Sequence, residues 1–133
     1  MFDPVINSLP AFAGYFATAL ALLAVFAVLY VFITPYNELA LIREGNTAAA
    51  GSLGGAVVGY ALPIAVSVAV SHNIMAMIGW GVVACLVQLM AYVVARLALP
   101  QINRAIPQGK LASGIFLASL SLGIGILNAG CIA

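Results

Sequence analysis

The chain has 133 residues, of which 65% are apolar and 5% charged, with four Lys or Arg, three Asp or Glu and a formal net charge of +1. An ordinary soluble domain is about 45–50% apolar and about 25% charged, so this chain lacks the polar surface to coat a globule. Without a basic cluster to hold phosphates, nucleic acid is excluded as a partner.

Charged residues are missing between Asp3 and Glu38, between Glu44 and Arg96, and after Lys110. Each gap has room for one or two spans of about 20 apolar residues. The start, MFDPVINSLP, has no Lys or Arg, and the apolar run from Ala11 to Ile33 exceeds the roughly 7–15 residues of a cleavable leader; a retained span is expected there. Backbone polar groups in lipid must be satisfied within the segment. The pattern therefore predicts an all-α membrane protein of four helices, about Leu9–Ile33, Thr47–Val70, Ile74–Leu97 and Leu111–Ile132.

The first connection, TPYNELALIREGN, reads as a short helix lying on the membrane surface. Thr34 is the expected cap, Pro35 suits the first turn, and Gly45 with Asn46 suits the stop. The third connection, PQINRAIPQGK, repeats the plan from Pro100 to Gly109, shortened by Pro107, while Ser71-His72-Asn73 is only a tight turn. Arg43, Arg96, Arg104 and Lys110 all fall in or beside the first and third connections. The positive-inside rule then places both loops in the cytoplasm and both termini outside it.

A shift of 64 residues lays Ile42 and Gly45 on Ile106 and Gly109, Ala48 on Ala112, and Gly59 on Gly123. Residues 1–133 thus read as one integral membrane domain built from two helical hairpins, about 9–70 and 74–133. An even number of spans per copy gives both the same orientation, as in parallel repeats.

Small residues set four apart let helix backbones approach closely. Gly51, Gly55 and Gly59 form such a stripe in the second span, and Ser119 and Gly123 form the equivalent one in the fourth, beside a neighbouring stripe of Ser121, Gly125 and Ala129. These stripes serve either packing within the chain or a homo-oligomer seam. Among the polar side chains in the spans, Tyr60, Gln88 and Asn128 are the candidates for contact with a solute. A carboxamide in hydrocarbon needs a hydrogen-bond partner, so each faces a neighbouring helix or a wet cavity. Pro63 frees the carbonyl of Gly59 and is a kink signal.

Cys85 and Cys131 sit in apolar runs, where a thiol behaves as a small hydrophobe, and the single His72 has no partner for metal binding. No nucleophile–base pair, phosphate loop or intramembrane carboxylate is apparent, which predicts a non-enzymatic protein without metal or cofactor. Glu38 and Arg43 are expected on a solvated face, or, with Asn37, meeting Asn103 and Arg104 to form a cytoplasmic docking surface or a gate.

The stretch TPYNELALIREGNTAAAGSLGGAVVGYALP, Thr34 to Pro63, and the C-terminal LGIGILNAGCIA resemble the bacterial inner-membrane proteins grouped as domain of unknown function 350, the YjfL-like family. The resemblance covers nearly the whole chain. It implies an inner-membrane location, a four-span duplicated fold and an envelope-associated partner, with no activity to carry over. It also marks Thr34, Pro35, Asn37, Glu38, Gly45 and Asn46, with Gln88 and Asn128, as residues of interest. Two roles follow. One is an oligomeric membrane module whose loop helices dock a peripheral cytoplasmic protein; the other is a small channel or uncoupled transporter with a pathway lined by Tyr60, Gln88 and Asn128.

Overall fold

Hydropathy alone commits most of this chain to helix, and the computed structural model, which describes residues 3–133, is helical throughout its regular segments. Its elements in chain order are α1 (Asp3–Ile33), α2 (Glu38–Arg43), α3 (Thr47–Val70), α4 (Ile74–Ala98), α5 (Ile102–Ala105) and α6 (Leu111–Ile132). Four of them, α1, α3, α4 and α6, are long and apolar enough to cross a membrane. Residues such as Phe12, Phe32, Leu86, Leu97, Ile126 and Leu127 cover the outside of the bundle, which suits a hydrocarbon solvent rather than water.

The first helix begins at Asp3, not Leu9. Pro4 is compatible with a first turn because its missing N–H has no partner there anyway. Pro10 lies inside the helix, where it costs one hydrogen bond without ending the run.

The loop helices depart further from expectation. Asn37, rather than Thr34, caps α2, its side chain accepting from the Ala40 N–H at 3.2 Å. The helix proper starts only after Pro35, because that ring forces the preceding residue out of the helical region. Asn46 caps α3 through the Ala49 N–H at 3.0 Å, and Asn73 caps α4 through the Ala76 N–H at 2.7 Å. In the third connection α5 spans four residues and has no side-chain cap. Gly45 (φ 87°) and Gly109 (φ 78°) adopt the left-handed conformation just before α3 and α6, a geometry that a Cβ would strain.

The centre of the bundle is the contact of α3 with α6, with α4 packed on both and α1 lying against α3 and α4. Small residues make that contact possible. A Cβ on Gly55 would fall 2.5 Å from the Ala118 Cα, one on Gly114 would fall 2.6 Å from the Ala48 carbonyl oxygen, and one on Gly125 would collide with the Gly59 carbonyl. That last carbonyl has lost its helical donor to Pro63, so Gly125 presents a Cα hydrogen to an oxygen that its own helix leaves free. Helix α1 docks by aromatic side chains instead. Phe26 stacks on Tyr60 with centroids 4.5 Å apart, and Tyr30 meets Tyr92 edge-on at 6.0 Å.

Candidate functional site

Polar groups within the bundle divide into those that hold helices together and those left without partners. Tyr60, Gln88 and Asn128 each place a donor in the first set, while Gln88 Oε1 and the neighbouring Ser121 Oγ are buried without a partner. Tyr60, Gln88 and Asn128 are 1%, 2% and 8% exposed. The Tyr60 hydroxyl donates to the Gly81 carbonyl at 2.9 Å, Gln88 Nε2 to the Ser121 carbonyl at 3.1 Å, and Asn128 Nδ2 to the Ala84 carbonyl at 3.3 Å. These bonds cross between helices, and such a donor is worth most where no water competes. Within one chain all three side chains are buried between helices, each with a donor engaged by a neighbouring backbone.

The glycine stripes are also sorted by the packing. Gly55 and Gly59 lie in the α3–α6 contact, whereas Gly51 and Gly123 meet nothing within 4 Å and Ser119 is exposed. The face of α6 that meets α3 carries Gly114, Leu117, Ser121 and Gly125. The two glycines matched by the 64-residue shift, Gly59 and Gly123, are thus not spatial partners. At about 100° per residue, Gly123 sits more than half a turn away from Gly125 on the helix surface.

The loop end holds most of the second set. Thr34, immediately after α1, is 5% exposed and Glu38, the first residue of α2, is 0% exposed. Glu38 was expected on a solvated face and is instead enclosed, because Tyr30 and Tyr92 come from distant helices to cover it. The Thr34 hydroxyl has three acceptors around it: the Val31 carbonyl at 3.1 Å, the Tyr36 carbonyl at 3.3 Å and Glu38 Oε1. One hydroxyl has a single proton to donate, so Thr34 serves only one of these acceptors at a time. Glu38 Oε2 and the hydroxyls of Tyr30 and Tyr36 have no hydrogen-bond partner. On the α4 side, the Tyr92 hydroxyl bonds Asn103 Oδ1 and ties α4 to α5.

The electrostatics follow from that enclosure. Burial pushes the Glu38 carboxyl from its ordinary 4.5 up to about 7, against an opposing pull from the Thr34 hydrogen bond. Burial also holds the Tyr36 hydroxyl above its ordinary value, with the nearby Glu38 and Tyr92 acting in the same direction.

The remaining loop residues are structural or exposed. Pro35, Asn37, Arg43 and Arg104 are exposed, and Glu38 does not join them in a docking surface. Asn46 performs two tasks. While its Oδ1 caps α3, its Nδ2 reaches across to the Ile106 carbonyl at 2.9 Å and the Pro107 carbonyl at 3.3 Å. Asn46→Ala should lose both and lower stability by about 2 kcal/mol, combining a cap and a buried bridge. Asn46→Asp should fall between it and the native protein, since the cap survives and the bridging donor does not. Thermal unfolding in detergent ranks the three.

Exposed basic and amide side chains frame a further feature at this end. Arg104, Gln108, Lys110, Gln101 and Ser113 line a cleft of about 410 Å³ beside α5. Sequence reading singled out Arg104 but missed the cleft, which depends on how α5 folds back on the start of α6. Groups of three or more His, Cys, Asp or Glu able to hold a metal ion do not occur among the described residues.

Comparison with known proteins places this geometry in a family. Residues 4–132 match the family described as Domain of Unknown Function (DUF350). The UPF0719 inner membrane protein YjfL of Escherichia coli K12 is 34% identical over 127 residues, covering 96% of each chain. The UPF0719 transmembrane protein YshE of Bacillus subtilis 168 is 28% identical over 125 residues, covering 92% of this chain and 93% of its own. No solved structure matches.

Proposed function

The chain belongs to the DUF350 family of integral membrane proteins, and from that premise we propose that it is a non-catalytic, oligomeric membrane module whose loop end docks a peripheral protein. The observation that carries this reading is the cleft beside α5, where Arg104 and Lys110 stand exposed with Gln101 and Gln108. Its charge suits an acidic segment of the partner, since positive and negative patches steer and register a complex. Arg43 and Arg96 are exposed at the same end. Asn46 braces that end by joining the start of α3 to the third connection, so the partner meets a preformed surface and less ordering cost is incurred on binding.

The positive-inside rule puts this surface in the cytoplasm and both termini outside. A twofold hairpin repeat with an axis along the membrane normal fits the 64-residue spacing. The outward Gly51 and Gly123, with open space over each, supply the small-residue faces on which copies of the chain pack. The channel reading is the weaker one, because Tyr60, Gln88 and Asn128 are committed to the interior.

The test places a photocrosslinking residue at Gln108 in native membranes and compares capture by the parent chain with capture by Arg104→Glu/Lys110→Glu. A single soluble protein should crosslink in stoichiometric amount, and the charge reversal should cut its yield about tenfold or more, equivalent to at least about 1.4 kcal/mol, while the protein inserts and assembles normally. Crosslinks to lipid or to other copies of the chain alone would sink the docking reading.

A further inference from the structure

Glu38 is the one buried acidic side chain among the described residues, and no countercharge contacts it there. The groups that face it come from every element around it. Tyr30 is on α1, Tyr36 on the turn before α2, and Tyr92 on α4 with the exposed Arg96 one turn farther along. The α3 sequence contains no charged residue. Along α2 itself, Arg43 is exposed and turned away to solvent. An ionised carboxylate in such surroundings lacks the partner that buried charges require.

Three buried oxygen atoms here have no hydrogen-bond partner: Glu38 Oε2, Tyr30 OH and Tyr36 OH. Unpartnered buried polar atoms are rare enough to need a reason. The Thr34 hydroxyl beside them has more acceptors than it can serve. The pocket therefore gathers oxygen atoms with free lone pairs around a carboxyl that has no countercharge.

We propose that Glu38, with Thr34, Tyr30 and Tyr36, forms a binding site for a single monovalent cation, a proton or an alkali metal ion in its place. The donor chemistry sets the class. All the available atoms are hard oxygens, which excludes soft metals. One carboxylate neutralises one charge, and a divalent ion such as calcium takes six to eight oxygen ligands, typically with several carboxylates. A proton on Glu38 Oε1 would donate to Thr34, freeing that hydroxyl to donate onward to the Val31 or Tyr36 carbonyl. The bound charge thereby joins the end of α1 to the start of α2. This inference goes beyond the docking role and stands without it.

Infrared difference spectroscopy of the purified protein in detergent tests it, with protons, sodium chloride and potassium chloride as probes and choline chloride as the ionic-strength control. A protonated-carboxyl band should titrate near neutral pH in the native protein, be absent from Glu38→Gln, and move to a different midpoint in Tyr36→Phe, which keeps the ring. The difference between the native protein and Glu38→Gln isolates the Glu38 band from those of Asp3 and Glu44. A midpoint indifferent to sodium and potassium identifies the proton as the ligand. A midpoint that falls as either ion is added, but not with choline, identifies an alkali cation competing for the same oxygens. Ionisation complete by about pH 5, as for an ordinary carboxylate, with no alkali-specific change would overturn the proposal. Because Glu38→Gln is isosteric and Tyr36→Phe removes only a hydroxyl, both are read in folded protein, and circular dichroism verifies it.

Discussion

Gly125→Ala should destabilise the bundle by about 3 kcal/mol, the upper end of the usual cost of overpacking, whereas Gly123→Ala two residues earlier should leave the fold of the single chain unchanged or slightly stabilised. A Cβ on Gly125 collides with the backbone of Gly59, and a backbone cannot rotate out of the way as a side chain can. The α3–α6 contact must open, and the contacts of Gly55 with Ala118 and of Gly114 with Ala48 are lost along with it. Gly123 meets nothing within 4 Å, so there alanine brings only its better helix propensity. The pair is a clean comparison because both substitutions are identical in chemistry and lie on one helix. Thermal unfolding in a mild detergent reads the difference, and equal effects at both positions would mean that α6 does not present this face to α3.

The second large effect concerns pH. Burial raises the Glu38 carboxyl from its ordinary 4.5 to about 7 in the folded protein, so the folded state holds its proton more tightly than the unfolded chain does. The sign follows by linkage. Glu38's contribution is complete below about pH 4.5, where both states are protonated, and is lost as pH rises through about 7. At about 1.4 kcal/mol per pH unit across that window, the loss is on the order of 3 kcal/mol. Melting temperature should therefore fall from acid to neutral pH in the native protein. Glu38→Gln, which cannot ionise, should lack that fall and be the more stable of the two above neutrality. Parallel pH profiles for the two proteins would show that Glu38 is solvated.

The membrane character and three of the four long helices could be read almost to the residue, because hydrocarbon demands uninterrupted apolar helix and the polar breaks are few. Asn46 and Asn73 mark the starts of α3 and α4 as strongly as any side chain can. Which face of each helix turns inward was far less legible. In water the apolar stripe marks the buried side, but in lipid both sides are apolar, and a glycine in contact looks like a glycine in open space. Gly59 and Gly123 align in sequence, yet Gly59 packs against Gly125.

Glu38 was misplaced for a related reason. Its own neighbours, Asn37, Arg43 and Glu44, are those of a solvated loop helix, and its enclosure is supplied by Tyr30 and Tyr92 from other parts of the chain. A signal was nevertheless present. Tyr30, Tyr36 and Tyr92 are three of the five tyrosines, and all lie close to the ends of helices that meet the loops. Thr34 stands four residues before Glu38, the spacing at which a hydroxyl can reach a carboxyl across the turn between two helices.

The bridge from Asn46 to residues 106 and 107 joins positions about 60 apart in the chain, which has a consequence for biosynthesis. As the chain leaves the ribosome, α1, α2 and α3 are complete well before those carbonyls exist, and the Ser121 carbonyl that takes the Gln88 amide emerges later still. Until α6 inserts, Gln88 and the Pro63-freed carbonyl of Gly59 lie in the bilayer without their final partners. The nascent protein is thus most exposed to membrane quality control when three spans are in place and the fourth is pending. Arrival of α6 supplies the Gln88 amide and the Gly59 carbonyl with their partners together and turns a set of loosely associated helices into one cooperative unit.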